Sequence, residues 1–307
     1  MKDVDINNLL TELKSVKITS LVAACLLIIL TLYLRSIRWK FILPDIPGTS
    51  KKYLFNNVMI GFMINNIMPA RIGEFARAFI LWKKNQFPLA VSLGTLILER
   101  IIDILIFSIF FIIPVFVLPQ CSPLTVYAFV FTGITLFSIV CVLLYFSFQK
   151  TSVTIVTWFI SKLPERFRER SLQICKELAS TLTWLKSPKR AFITICLSFL
   201  TLLCYPFMII VLAGNAGIPF GLLEGMFAQA FAAFGAAIPL APGYVGTLHA
   251  IMLQGLEILG MNADKARALI IIYHAVNYIL ITILGLYFFF RMKLSIKEIS
   301  SAQKEMA

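Results

Sequence analysis

The segment NNIMPARIGEFARA, residues 65–78, sets Arg71, Glu74 and Arg77 in a stretch with long apolar runs on either side. An arginine presents a planar fork of donors that fits phosphate or carboxylate, and a glutamate can hold such a fork or accept a cationic group. A second charged set, Glu99, Arg100 and Asp103, lies one or two turns into the next apolar run. Glu99 and Asp103 stand at i and i+4, on one face of a helix. Charges at membrane depth cost several kcal/mol if they meet lipid, so all six must face protein, water or a ligand. The plainer reading is that they neutralise one another and lock helices together. Asp103, the deepest, pairs with an arginine or carries a proton.

His249, His274 and Asn277 occupy comparable places in the second half of the chain. A membrane histidine is most often a packing or hydrogen-bonding residue; a substrate or proton role is the sharper reading for His274. Asn65, Asn66 and Gln229 precede breaks in the apolar pattern, where they can satisfy freed backbone groups. No serine or cysteine lies near a suitable base, and GTLHA at 246–250 is not a nucleophile elbow, so hydrolytic catalysis has no support. Two histidines remote from any cysteine cluster make no metal site, and no cofactor is expected. The six cysteines read as small core hydrophobes rather than disulfides.

The elements that must position these residues follow from composition. Of 307 residues 59% are hydrophobic and only 14% are charged, and several runs reach the length needed to cross a bilayer. The chain reads as an all-α polytopic membrane protein, one transmembrane domain over residues 1–307. Full spans are predicted at about 19–34, 91–118, 126–148, 191–213 and 266–290, with an interfacial stretch at 5–17 and a basic amphipathic segment at 150–190. The net charge of +13 is distributed by loop and does not mark a nucleic-acid surface. Residues 35–52, 83–90, 149–190 and 291–307 hold 20 Lys+Arg; the opposite loops hold 5. That bias places the first group, with the C-terminus, in the cytoplasm, in a multi-pass protein of the cell membrane.

Residues 53–82 and 220–259 are apolar but broken, by MPARIG and by IPLAPGYVG, and the flanks of each share one side. Each is therefore expected to be a re-entrant helical hairpin. Pro69 and Gly73 share their Pro-x-x-x-Gly spacing with Pro242 and Gly246, and a full span precedes and follows each hairpin. Repeat 1 covers about 19–118 and repeat 2 about 191–290, with the span and basic segment at 119–190 between them. The single intervening span makes the repeats inverted, the arrangement that marks a transporter's substrate site. At each break a new half-helix begins with unpaired N–H groups and partial positive charge, which predicts an anionic guest at the two converging N-termini.

The same residues resemble a known family. NNIMPARIGEFARAFIL, SLGTLILERIID and PLAPGYVGTLHAIML are similar to the signatures of the lysylphosphatidylglycerol-synthase transmembrane-domain proteins, also called flippase-like or UPF0104 proteins, over about residues 19–290. The family pattern N-x-x-x-P-x-R-x-G-E falls on Asn65, Pro69, Arg71, Gly73 and Glu74, with Arg77 just beyond. E-R-x-x-D falls on Glu99, Arg100 and Asp103, and the late glycine motif on Pro242, Gly243 and Gly246. Where that motif often reads Gly-Gly with a later acid, this chain has Gly243-Tyr244 and His249, so headgroup preference is expected to differ. Many members also carry a further N-terminal span.

The resemblance implies lipid handling: a membrane lipid translocase for a phosphate-headgroup lipid, of phosphatidylglycerol or aminoacylated type, and not an enzyme. The chain closes soon after its last span, where no soluble synthase domain is expected. Arg71, with Arg77 or Arg100, would bind the phosphate, and Glu74, Glu99 and Asp103 would hold the arginines. The alternatives are an intramembrane transferase acting on a polyprenyl-phosphate or phospholipid, and a non-transporting partner of a lipid-modifying enzyme.

Overall fold

The computed structural model describes residues 16–44, 49–68, 71–147, 180–214, 217–238 and 241–295, with scattered positions from 160 to 173. The interfacial stretch at 5–17 and the basic segment at 150–190 fall largely outside the described residues, as does Pro69. Every regular element among the described residues is helical. In chain order these are α1 (Ile18–Ile42), α2 (Lys51–Ile67), α3 (Ile72–Asn85), α4 (Leu89–Val117), α5 (Thr125–Ser147), α6 (Pro188–Ala213), α7 (Leu222–Ala237), α8 (Thr247–Ile258) and α9 (Ala263–Arg291). Short 3₁₀ turns at Pro119–Leu124 and Pro242–Tyr244 lead into α5 and α8. The five predicted spans fall on α1, α4, α5, α6 and α9; α1, α4, α6 and α9 are long and apolar enough to cross a membrane, and so is Pro119–Phe137, which runs from the 3₁₀ turn into α5.

Helix starts follow local chemistry. Ser50 accepts the Tyr53 N–H ahead of α2, Ser187 accepts that of Arg190 ahead of α6 with Pro188 at the first position, and Asn262 accepts that of Asp264 ahead of α9. α5 sits at the edge, packed on α4. It turns Val126, Phe129, Val130, Ile134 and Phe137 outward, as a lipid-facing helix does. Inside, Phe111 of α4 meets Phe227 and Phe234 of α7 and Phe131 of α5 at ring centroid distances of 6.0, 5.7 and 5.2 Å.

The helix contacts repeat. The most extensive pairing joins α1 to α6, the helices that open the two halves. α2 packs on α3, α1 and α9; its counterpart α7 packs on α8, α6 and α4. Exchanging α1–α4 for α6–α9 thus maps these contacts onto one another, with the closing helix of each half seated against the hairpin of the other.

One difference from the sequence reading concerns α1. The apolar run ends near Leu34, which placed Arg35 and Arg38 in a cytoplasmic loop, yet the helix continues to Ile42. Arg35, Arg38, Trp39 and Ile42 stand at i, i+3, i+4 and i+7, and all are 3% exposed or less. They form one inward stripe, so the loop tally falls to 18 against 5 and keeps its sign.

Each hairpin closes at a glycine. A Cβ on Gly73 would run into the Gly61 carbonyl, and one on Gly235 would come within 2.7 Å of the Leu248 Cα. Gly73→Ala therefore forces α2 and α3 apart. It is expected to destabilise the protein by about 1–3 kcal/mol, the range for overpacking, read as a lower melting temperature of the detergent-purified protein.

Candidate functional site

At the first break α2 ends at Ile67, and Arg71 adopts a left-handed conformation (φ 55°) as the N-cap of α3. Asn65 Oδ1 accepts the Gly73 N–H at 2.7 Å, so the residue before the break caps the helix after it. Asn65→Ala is expected to cost about 1 kcal/mol of helix-cap stability, measurable by thermal melt. Asn66 turns the other way, donating to the Tyr278 carbonyl at 3.2 Å and to Thr282 Oγ1 at 3.1 Å, which ties the first hairpin to α9.

At the second break Gly243 (φ 60°) and Tyr244 (φ 61°) are both left-handed, after Pro242 has opened the turn. A side chain on Gly243 would meet the Tyr278 ring at 2.5 Å. The Gly246 N–H donates to His249 Nδ1 at 3.3 Å. His249 Nε2 lies 3.4 Å from His274 Nδ1, and His274 Nε2 lies 2.8 Å from the Gly243 carbonyl. A carbonyl only accepts and a backbone N–H only donates. His274 Nε2 and His249 Nε2 therefore carry the hydrogens, leaving both rings neutral. His249 fills the position, three residues into α8, that a capping glutamate takes elsewhere. Because side chains cap donors at both breaks, the helix N-termini offer a guest less than the sequence implied. Gln229, expected to serve the break, instead accepts the Tyr273 hydroxyl at 2.8 Å.

The charged residues form one cluster between α1, α3 and α4. Glu99 Oε1 receives Arg35 at 2.8 Å and Arg100 at 2.6 Å, and its two oxygens receive the Arg77 fork at 3.2 Å each. Arg38 lies 3.2 Å from the same carboxylate. Asp103 receives Arg38 at 2.6 Å, Arg35 at 2.9 Å and Arg100 at 3.1 Å. Glu74 approaches Arg100 at 3.6 Å. Arg77 is also stacked 4.2 Å above the Trp39 ring, whose Nε1–H is held by Thr95 Oγ1. Four guanidiniums thus surround two fully engaged carboxylates, with Glu74 at the margin.

A cavity of about 240 Å³ opens beside this cluster, where the two breaks meet. Of the residues singled out from sequence, Asn66, Arg71, Arg100, Asp103, Gly243, His274 and Asn277 line it. Arg77 and Glu99 sit behind its wall, 2% and 0% exposed. Asn65, Glu74, Pro242, Gly246 and His249 hold the surrounding backbone and charges and do not line it. Sequence reasoning missed Arg35, together with Tyr205, Tyr273 and Tyr278, while Gln229 and Tyr244, noted for the breaks and for the altered glycine motif, line the cavity as well. The stripe shared by Arg35, Arg38, Trp39 and Ile42 was the available signal for the arginine.

Arg71 crosses between the two halves. Its Nη2 donates to the Ala236 carbonyl at 2.7 Å, one of the last carbonyls of α7, and its guanidinium lies 5.6 Å from the Tyr244 ring centroid. No carboxylate among the described residues pairs with it, and its Nε–H has no partner there. The cavity therefore presents Arg35, Arg71 and Arg100 against the single carboxylate of Asp103, and that one is shared among three arginines. The charged lining is therefore net positive.

Comparison with known proteins agrees with this membrane architecture. A UPF0104 membrane protein of Methanocaldococcus jannaschii is 27% identical, the match covering 86% of this chain and 82% of the relative. A second from the same organism is 22% identical, over 74% of this chain and 93% of the relative. One from Methanothermobacter thermautotrophicus is 23% identical, over 84% and 80%. The family model described as the lysylphosphatidylglycerol synthase TM region matches residues 1–285, and the chain belongs to that family.

Proposed function

We propose that the protein is a lipid translocase of the cell membrane that carries a phosphate-headgroup lipid between leaflets without altering it chemically. One observation carries this reading: a cavity at the meeting of two broken helices presents three guanidiniums, one of which, Arg71, has no acidic partner among the described residues. A phosphate supplies the missing negative charge, and the arginine fork suits its geometry. The exchange of helix contacts between α1–α4 and α6–α9 supports an inverted repeat whose hairpins are re-entrant. Movement then consists of one half rocking against the other about the α1–α6 contact, with the C-terminus in the cytoplasm. Because Arg71 bonds the last turn of α7, phosphate binding and the relative position of the two hairpins are coupled.

The test is reconstitution into vesicles carrying phosphatidylglycerol with a fluorophore on its acyl chain. A membrane-impermeant quencher reads the fraction accessible from outside. Translocation makes the inner-leaflet pool accessible within the experiment. A rate equal to that of protein-free vesicles sinks the reading, and chemically modified lipid in the extract replaces it with a transferase.

A further inference from the structure

The cavity has two unlike walls. On one stand Arg35, Arg71, Arg100 and Asp103. The other, built by α6, α7 and α9, carries Tyr205, Gln229, Tyr273, His274, Asn277 and Tyr278 and, among the described residues, no acidic side chain. Several polar atoms on this second wall have no protein partner among the described residues. Asn277 uses its amide N–H group on the Tyr273 carbonyl at 2.8 Å, which leaves its oxygen free to accept. Gln229 spends its oxygen on the Tyr273 hydroxyl, which leaves its NH₂ free to donate. The half-buried phenols of Tyr205 and Tyr278 can do both.

An ammonium group needs a carboxylate or a set of acceptors. The only carboxylate among the described residues lining the cavity, Asp103, is already enclosed by Arg35, Arg38 and Arg100 at 2.6–3.1 Å. An ammonium group could take only the Asn277 oxygen and the two phenols as acceptors, beside three guanidiniums and with no free carboxylate, and would leave the Gln229 NH₂ and the phenol hydrogens unused. A hydroxyl donates and accepts, and matches a wall that does the same.

We infer that the guest is a phosphate carrying an uncharged, hydroxyl-rich group, with the phosphate on the arginine wall and the hydroxyls on the tyrosine–amide wall. This rests on the anion-binding reading above and selects within it. Phosphatidylglycerol and phosphatidylinositol fit; phosphatidylethanolamine and aminoacylated lipids do not.

The experiment measures the melting shift of the detergent-purified protein with dihexanoyl-phosphatidylglycerol, dihexanoyl-phosphatidylethanolamine, dihexanoyl-phosphatidic acid and free glycerol 3-phosphate. Phosphatidylglycerol is expected to bind at least tenfold tighter than phosphatidylethanolamine, and about threefold or more tighter than phosphatidic acid, which lacks the polyol. In the Tyr205→Phe/Tyr278→Phe variant the advantage over phosphatidic acid should vanish while phosphatidic acid binding persists, which also shows that the variant folds. A shift with free glycerol 3-phosphate and none with the lipid keeps the headgroup chemistry and moves its source off the lipid. Equal or tighter binding of phosphatidylethanolamine overturns the inference and leaves a less selective anion site. Selective phosphatidylglycerol binding without movement in vesicles upholds it and removes translocation instead. No shift with any of the four overturns both.

Discussion

Glu99→Gln is expected to destabilise the protein by about 3–5 kcal/mol, the cost of breaking a buried ion pair from one side. The carboxylate is 0% exposed and lies within 3.2 Å of Arg35, Arg38, Arg77 and Arg100, which come from three different helices. A glutamine keeps the volume but removes the charge and replaces one acceptor oxygen by an NH₂ that faces guanidinium donors. Four cations would then share Asp103 alone, with Glu74 at the edge. The measurement is the melting temperature, with the monodisperse fraction after detergent extraction as a second readout. Charge, rather than shape, is tested by the double variant Glu99→Gln/Arg77→Met. Removing the cation that makes the bidentate contact should recover part of the loss, because the two sites are coupled. If the double variant loses the sum of the two single effects, the electrostatic account is wrong. Asp103→Asn should follow the same pattern less severely, since Asp103 is nearer the cavity, where a guest or water can share the remaining charge.

The reach of sequence reasoning is visible within this cluster. Glu99 and Asp103 could be assigned to one face because their spacing is local, and local spacing survives folding. Of their partners, Arg77 and Arg100 were named beside them, but Arg35 and Arg38, more than sixty residues away, could not be, because a span's rotation about its axis is set by packing between distant helices. Arg35 and Arg38 look like the basic end of a span, and hydropathy alone ends the helix at Leu34. Only the continuing stripe of Trp39 and Ile42 shows that α1 turns these arginines inward. The long spans and both breaks were legible because span length and proline–glycine interruption are properties of the chain itself. Arg71 and Arg77, identical in chemistry, were distinguishable only by tertiary position. The tyrosine wall left no mark at all, since Tyr205, Tyr273 and Tyr278 each lie in an apolar run where an aromatic residue is unremarkable.

That distinction between two arginines gives the sharpest functional test. Arg71→Ala is expected to reduce lipid movement in vesicles to the protein-free rate, while costing little more than the about 1 kcal/mol of one hydrogen bond in stability. Its guanidinium touches a carbonyl and an aromatic face rather than a buried carboxylate, so its removal strands no opposite charge. Arg71→Lys keeps the charge but loses the planar fork, and a partial rate is expected. Arg77→Ala should behave in the opposite sense. Its loss leaves Glu99 with one cation fewer and empties the face of Trp39, so stability falls, yet Arg77 does not reach the cavity. The folded fraction of that variant should still move lipid. If Arg71→Ala moves lipid at the unaltered rate, the phosphate is held elsewhere, and Arg35 with Arg100 becomes the remaining pair of cations able to hold it. If Arg77→Ala abolishes movement in protein that melts normally, the cluster behind the wall belongs to the transport cycle rather than to its scaffold.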